Sequence, residues 1–233
     1  MALRLLPAEE LAVDKVKVLR TTCLCQMIAL SRYQRDEGVV ASSTEGNKCL
    51  WAEVCLGMVR EPARLRDGDL NRSFTKDEEA ARILQTHVAA LRPDVLNGGV
   101  RTAALDLADF DPDVVIIYVT PGQALKVLLG LSYAKGEVID NPITGQAAVC
   151  QSVARAIDTG SAILEVPCAG DRMWGLVQDD ELVMVIPIGR LSQIVEGIKV
   201  TDAFSPYPFR PFLRWPALFP PEFEPTRSEL EKS

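Results

Sequence analysis

The chain has 233 residues, a formal net charge of -7 and 48% hydrophobic residues. Its length and apolar content suit one domain with a sizeable core. The acidic charge opposes binding to phosphate backbones, and no dense run of lysine and arginine offsets it, so we expect no nucleic-acid partner. No apolar stretch approaches the roughly 20 residues that a membrane span requires. We therefore expect no membrane insertion.

The first ten residues and the six cysteines bear on the cellular compartment. The N-terminal segment lacks the basic region, apolar run and small-residue cleavage site of a secretory signal, which predicts a cytoplasmic protein. In a reducing compartment, cysteines act as free thiols, metal ligands or catalytic groups more often than as disulfides. Their positions therefore carry the functional argument.

Apolar periodicity predicts strands and helices that alternate along most of the chain. In chain order they are strand Val13–Val18, helix Cys25–Tyr33, strand Val39–Ala41, helix Leu50–Met58, helix Lys76–Ala90, strand Val100–Leu105, strand Val114–Val119, helix Gln123–Tyr133, helix Gly145–Ala156, strand Ala162–Val166, strand Leu182–Ile186 and helix Arg190–Gly197. This order predicts the α/β (or α+β) class, with a single compact domain whose mixed sheet is flanked by helices.

Two of the predicted helices have recognisable start signals. Ser73 or Thr75 is expected to cap the helix Lys76–Ala90, since a hydroxyl accepts a hydrogen bond from a first-turn N–H group. Thr120-Pro121 is expected to begin the helix that follows the strand Val114–Val119. Proline is tolerated there because a first-turn N–H group has no intrahelical partner.

The C-terminal segment differs in composition from the rest of the chain. From residue 201 onwards, prolines alternate with aromatic residues, and such a composition cannot hold regular ladders of hydrogen bonds. We predict a single domain over residues 1–200 and an extended tail over residues 201–233. The tail packs either on the domain or on a partner, and its aromatic residues suit an interface in a homo-oligomer or with a partner enzyme.

Four cysteines fall where helices begin or where the chain turns. Cys25 opens a predicted helix, where the helix dipole favours a thiolate, and Cys49 and Cys150 lie at or near further helix starts. Cys168 occupies a predicted tight turn after a strand. Thiolates select zinc, copper(I) or iron–sulfur clusters, and a set of four suits either zinc or a cubane cluster. The four cysteines are therefore candidate ligands of a metal or cluster cofactor.

The alternative is that the thiols are structural. Free cysteine is among the most buried residue types, and the spacing here lacks the C-x-x-C pair of recognisable zinc sites. Cys23 and Cys55 are expected to be ordinary core or surface residues. Two hypotheses remain: an iron–sulfur cluster site, with zinc as second choice, that acts on a small molecule, or a metal-free module that binds a small molecule or a partner enzyme. Whether the protein is an enzyme stays open.

Five further side chains are candidates for contacts with a small molecule near the thiols. Gln26 and Gln123 stand near helix starts, from which their amides could reach a shared pocket. Arg172 carries a guanidinium that matches a carboxylate bidentately, although it could equally pair with the preceding aspartate and stabilise the turn. Trp51 and Trp174 are candidate apolar walls.

An ordered set of short motifs resembles a known family. The motifs are Cys25-Gln26, Cys49, Phe110-x-Pro112-Asp113-Val114-Val115, Pro121-x-Gln123-Ala124, Ala148-x-Cys150, Cys168-x-Gly170-x-Arg172, Asp180-Glu181-Leu182, Ile186-Pro187 and Val195-Glu196-Gly197. Together they resemble the domain of unknown function 169 family over about Val16 to Ile198. The resemblance implies a compact α/β domain with the four candidate cysteines at the family's cysteine positions. It implies no particular reaction.

Overall fold

A computed structural model describes residues 1–7, 17–18, 23–35, 39–42, 47–92 and 96–209. Its strands are β1 (Ala2–Leu6), β2 (Lys17–Val18), β3 (Val39–Ser42), β4 (Gly99–Ala103), β5 (Val114–Val119), β6 (Ile163–Glu165) and β7 (Leu182–Pro187). Its α-helices are α1 (Leu24–Ala29), α2 (Leu50–Cys55), α3 (Ala63–Arg66), α4 (Glu78–Thr86), α5 (Pro121–Tyr133), α6 (Ala148–Thr159), α7 (Ala169–Gly175) and α8 (Ile188–Thr201). A π-helical turn, Leu30–Gln34, continues α1.

The strands form one sheet in the order β2-β3-β4-β1-β5-β7-β6. The pair β2 and β3 is parallel, whereas the other neighbouring pairs are antiparallel. A mixed sheet flanked by helices, as the sequence predicts, is therefore confirmed.

The N-terminal strand β1 lies in the middle of this sheet, where the sequence pattern predicts no strand. It pairs with both β4 and β5, and Ala2 and Leu3 are fully buried. The N-terminal amine of Met1 donates to the carbonyl oxygen of Ile116 at 2.7 Å, and burial lowers its pKa to about 6. The start of the chain is thus part of the core.

Side chains of the central strands alternate between two hydrophobic clusters. Ile116 and Val183 pack into a cluster that also holds residues of α1, α2 and α6. Val119 and Met184 pack into the second cluster, with residues of α5 and α8. Because successive side chains of a strand point to opposite faces, the helices cover both faces of the sheet. The cysteine-bearing helices share one face.

Helices α5 and α8 cross at two glycines. A Cβ atom added at Gly197 would lie 2.3 Å from the carbonyl oxygen of Gly130. The two backbones therefore approach more closely than any side chain at Gly197 would allow. This contact packs α5 and α8 directly against each other.

Helix boundaries differ from the sequence prediction where local hydrogen bonding decides them. Asp77, rather than Ser73 or Thr75, caps α4, since its side chain accepts from the N–H group of Ala80 at 2.9 Å. The Thr120 cap of α5 is confirmed by its side-chain oxygen, which accepts from the N–H group at the third helical position at 3.4 Å. Helix α7 replaces the tight turn expected after β6.

Some predictions fall outside the described residues, including most of the tail over residues 201–233 and residues 13–16 of the first predicted strand. At the start of the tail, the Lys126 ammonium donates to the carbonyl oxygen of Ser205 at 2.6 Å and pairs with Asp202 at 2.9 Å. These contacts attach residues 202–205 to α5. None of the described helices has the length and apolar character needed to cross a bilayer.

Candidate cysteine-lined site

A cavity of about 520 Å³ opens on the sheet face that carries α1, α2, α6 and α7. Five of the six cysteines line it, together with two tryptophans, one phenylalanine and a few polar residues. The lining residues are Cys23, Cys25, Gln26, Lys48, Cys49, Trp51, Phe74, Gln146, Ala147, Val149, Cys150, Cys168, Ala169, Gly170 and Trp174. Its volume lies in the range of small-molecule pockets. We call it the cysteine cavity.

Helix α1 contributes two thiols to the cysteine cavity. Cys23 is the N-cap of α1, and its N–H group donates to the side-chain oxygen of Gln26 at 3.1 Å. The backbone N–H groups of Cys25 and Gln26 donate to the Cys23 sulfur, which is also one of two acceptors within reach of the single Cys25 thiol proton. These donors, the thiol first among them, lower the pKa of Cys23 to about 7.

Two more thiols stand at the starts of α2 and α6. Cys49 is the N-cap of α2, and its N–H group donates to Asn47 Oδ1 at 3.1 Å. Cys150 is the third residue of α6, is buried, and has a pKa raised chiefly by that burial. The residue before α6, Ala147, has φ 47°, a left-handed conformation that L-residues other than glycine rarely adopt. The cavity wall is therefore strained at this position.

The fifth thiol is organised by a buried aspartate. Cys168 caps α7, and its N–H group donates to Asp171 Oδ2 at 3.1 Å. The Cys25 thiol donates to Asp171 Oδ1 at 3.2 Å, and the Val149 N–H group also donates to this carboxylate. Asp171 has no exposed surface, and burial raises its pKa. One carboxylate thus joins α1, α6 and α7.

Burial and mutual repulsion disfavour negative charge on most of these groups. The pKa of Cys168 is raised to about 11, and those of Cys25, Cys49 and Cys150 are also raised. Among the described residues that line the cavity, Lys48 is the only cation, and it is exposed. The site is therefore rich in sulfur donors and has no buried positive charge of its own.

The sequence-predicted residues divide into two groups. The structure brings Cys25, Cys49, Cys150, Cys168, Gln26, Trp51 and Trp174 to one cavity. Gln123 does not line it, because its side chain closes the capping box of α5 by accepting from the Thr120 N–H group at 2.9 Å. Arg172 does not line it either. Its guanidinium donates to the carbonyl oxygen of Gln178 at 2.7 Å and pairs with Asp179 at 3.2 Å, rather than with Asp171.

Two residues of the site are not predicted as such by the sequence pattern. Cys23, assigned to the core or surface, lines the cavity, whereas Cys55 lies in the hydrophobic core beneath it. The sequence predicts Asp171 only as a partner of Arg172, whereas its buried carboxylate accepts from the Cys25 thiol and from the Cys168 N–H group. An aspartate three residues after an N-cap position is a capping-box signal that could have identified it.

The arrangement of donors bears on metal binding. Among the described residues, no group of three or more histidine, cysteine, aspartate or glutamate side chains converges closely enough to hold a metal ion. All six cysteines fall within the described residues, and none forms a disulfide. The donor chemistry suits a thiolate-ligated group, but in this conformation the Cys25 thiol is occupied by hydrogen bonding to Asp171.

Fold and site together define an α/β protein with a cysteine-lined cavity on one face of a mixed sheet. Residues 1–197 match the family described as uncharacterised ArCR, domain of unknown function 169, and the chain belongs to this family. The match begins at residue 1, so β1 belongs to it, contrary to the expectation that it starts near Val16. The chain is 26% identical over 179 residues to the uncharacterized protein MJ0308 of Methanocaldococcus jannaschii, which covers 75% of each chain. No solved structure matches significantly.

Proposed function

We propose that the protein binds a thiolate-ligated cofactor in the cysteine cavity, an iron–sulfur cluster before zinc, and holds a small molecule beside it. One observation carries the proposal: four cysteines far apart in sequence, Cys25, Cys49, Cys150 and Cys168, line a single cavity together. An all-sulfur donor set of four is suited to a cubane cluster or to zinc. When bound, such a cluster supplies electron transfer or a Lewis-acidic iron.

The electrostatics of the cavity support this choice. Burial raises the pKa values of Asp171, Cys150 and Cys168, the nearby Asp171 carboxylate raises those of the two thiols further, and no described residue supplies a buried positive charge there. A cationic centre would reverse this effect, because a nearby positive charge favours thiolates. If Cys25 became a ligand, its thiol would no longer donate to Asp171. Asp171 would still accept a hydrogen bond from the N–H group of Cys168.

The remaining wall of the cavity suits an apolar small molecule. Trp51 and Trp174 provide aromatic surface, and Gln26 and Gln146 provide polar groups near the thiols. A pocket with apolar walls and a few polar groups is the usual architecture of a small-molecule site. Six free thiols also fit a reducing, cytoplasmic compartment.

A metal-free small-molecule site is the second candidate. It is favoured by the lack of three converging metal donors among the described residues and by the raised pKa of most lining thiols. In this case the thiols would be neutral, and the cavity would bind its ligand through apolar contacts.

Elemental analysis after strictly anaerobic purification separates the two candidates. Iron, zinc and acid-labile sulfide are measured in the wild type and in the Cys49→Ser and Cys168→Ser variants. Serine is a favoured N-cap residue, so both substitutions preserve the helix start while removing the sulfur. Cys55→Ala is the matched control, because Cys55 is buried but does not line the cavity.

The cluster proposal expects near-stoichiometric iron and sulfide in the wild type and the control, with loss in both serine variants. Zinc without acid-labile sulfide would indicate that the cavity binds zinc rather than an iron–sulfur cluster. Only traces of any metal in the wild type, or retention in both serine variants, would contradict the proposal, and the metal-free candidate would take its place.

A further inference from the structure

A second cavity, of about 600 Å³, lies beyond helix α2 from the cysteine cavity. Its described lining combines three arginines and one glutamate with an apolar surface. The residues are Val54, Val59, Arg60, Glu61, Arg66, Ala90, Leu91, Arg92 and Leu96. We call it the arginine cavity. It shares helix α2 with the cysteine cavity, since Val54 lines the former while Cys49 and Trp51 line the latter.

The charge of the arginine cavity is opposite to that of the protein. The chain carries a net charge of -7, yet three of the four charged residues in the described lining of this cavity are arginines. One of them, Arg66, makes a loose pair with Glu61, whose Oε2 lies 3.6 Å from Nε. Glu61 also accepts a hydrogen bond from Gln85 at 3.4 Å. Within the described lining, one carboxylate cannot neutralise three guanidinium groups.

Most arginines in the described part of the chain have a carboxylate partner, whereas two of the three arginines of this cavity have none there. Residues such as Arg32, Arg101 and Arg190 each have a carboxylate partner. Arg60 and Arg92, in contrast, make no side-chain hydrogen bond or ion pair within the described part of the chain. Two unpaired guanidinium groups therefore line the arginine cavity.

The other wall of the arginine cavity is apolar and fixed in place. Val54, Val59 and Leu91 contribute aliphatic surface. The Leu91 N–H group donates to the carbonyl oxygen of Cys55 at 2.9 Å, which ties this wall to α2. A ligand that satisfies both walls needs an anionic group and an apolar body.

We infer that the arginine cavity binds a small organic anion, whose phosphate or carboxylate group is held by Arg60 and Arg92 and whose apolar body lies against Val54 and Leu91. Guanidinium forks match both phosphate and carboxylate oxygens in bidentate fashion, so the two anions share one binding chemistry. The inference does not depend on the cofactor proposed for the cysteine cavity.

Four probes test the inference by isothermal titration calorimetry on the full chain: phenyl phosphate, benzoate, inorganic phosphate and benzyl alcohol. At least one of the two organic anions is expected to bind more tightly than both inorganic phosphate and the neutral alcohol. Comparison of phenyl phosphate with benzoate then distinguishes phosphate from carboxylate ligands. Weaker binding at higher salt is expected for an ionic contact.

Substitution of the unpaired arginines gives the decisive comparison. Each of Arg60→Gln and Arg92→Gln should weaken binding of the preferred probe about tenfold or more, since hydrogen bonds to charged groups are the strong ones. Arg64→Gln is the matched control, because Arg64 is likewise exposed and unpaired within the described residues but does not line the cavity. It should leave binding unchanged.

Three outcomes would overturn the inference: no binding of either organic anion at millimolar concentration, equal binding of the neutral alcohol, or equal weakening by the Arg64→Gln control. Thermal melting of each variant verifies folding, and since the substituted side chains are exposed, native stability is expected. Repeating the titration with Cys49→Ser separates the two sites. An intact anion affinity in that variant would support the arginine cavity even if the cofactor proposal failed.

Discussion

Removal of the Cys25 thiol should raise the pKa of Cys23. In the wild type, the Cys25 thiol is the largest single cause that lowers this pKa, from 9.0 to about 7. Cys25→Ala deletes the donor, whereas Cys25→Ser replaces it with a hydroxyl. We expect the Cys23 pKa to return towards 9.0 in the alanine variant and to stay low in the serine variant.

The size of this pKa change depends on which acceptor the Cys25 thiol proton faces. Cys25 has one thiol proton and two nearby acceptors, the Cys23 sulfur and Asp171 Oδ1 at 3.2 Å. The backbone N–H groups of Cys25 and Gln26 also donate to the Cys23 sulfur. The Cys23 pKa is therefore lowered even when the proton points to Asp171, but by less.

The size of the effect follows from thiolate populations. At about pH 7, a thiol of pKa 7 is about half ionised, whereas a thiol of pKa 9 is ionised to about 1%. A thiolate loses about eightfold in intrinsic nucleophilicity over two pKa units, so Cys23 should react about sixfold faster than an equally accessible ordinary thiol. Alkylation rates of Cys23 are measured against pH with iodoacetamide and peptide mass spectrometry. A midpoint near 9 in the wild type, or no change in Cys25→Ala, would refute the reasoning.

Three further predictions concern stability. Because burial raises the pKa of Asp171, the native state favours its protonated form, so its contribution to stability is lost as the pH rises through that pKa. Asp171→Asn should therefore become more stable relative to the wild type as the pH rises above about 4 in urea unfolding. Gly197→Ala should lower the free energy of unfolding by about 2 kcal/mol or more, since its Cβ would meet the Gly130 carbonyl oxygen at 2.3 Å. Tyr118→Phe should raise that free energy by about 1 kcal/mol, because the buried Tyr118 hydroxyl has no hydrogen-bond partner among the described residues.

Each stability prediction has its own control. Gly189 lies in the same helix as Gly197 and has open space around it, so Gly189→Ala should stabilise the protein by about 0.5 to 1 kcal/mol. If Gly189→Ala lowered the free energy of unfolding as much as Gly197→Ala does, the close contact with Gly130 would not be the cause of the loss. A constant difference between Asp171→Asn and the wild type across pH would mean that Asp171 does not titrate as proposed. Destabilisation by Tyr118→Phe would indicate an unrecognised partner for the hydroxyl.

The sequence was informative where function depends on local pattern. Cys49 and Cys150 could be assigned to helix starts because turn residues and apolar spacing mark those starts. Their meeting in one cavity depends on how α2 and α6 pack on the sheet, which no local pattern specifies. The predicted helix begins one residue late, at Cys25 rather than Leu24, so the pattern did not mark Cys23 as the N-cap of α1.

Other features depend on long-range contacts and were missed for that reason. Strand β1 is short, carries Arg4 among apolar residues and gains its place by pairing with β4 and β5. The burial of Asp171 likewise arises from α1 and α6 packing over α7. Gln123 satisfied the same helix-start pattern as Gln26, yet the two helices lie on opposite faces of the sheet. Residue pattern alone could not separate them.

The most direct test of the cofactor claim is the alkylation rate of Cys49 and Cys168 in protein that is purified and kept strictly anaerobic. Both thiols are only half-buried and line the cavity, so a reagent can reach them, and alkaline pH offsets the pKa values that burial raises. We predict that both are protected as isolated and become alkylated together after treatment with a chelator, with Cys55 unreactive throughout. Alkylation of both thiols at the same rate before and after chelation would contradict a thiolate-ligated cofactor in the cysteine cavity.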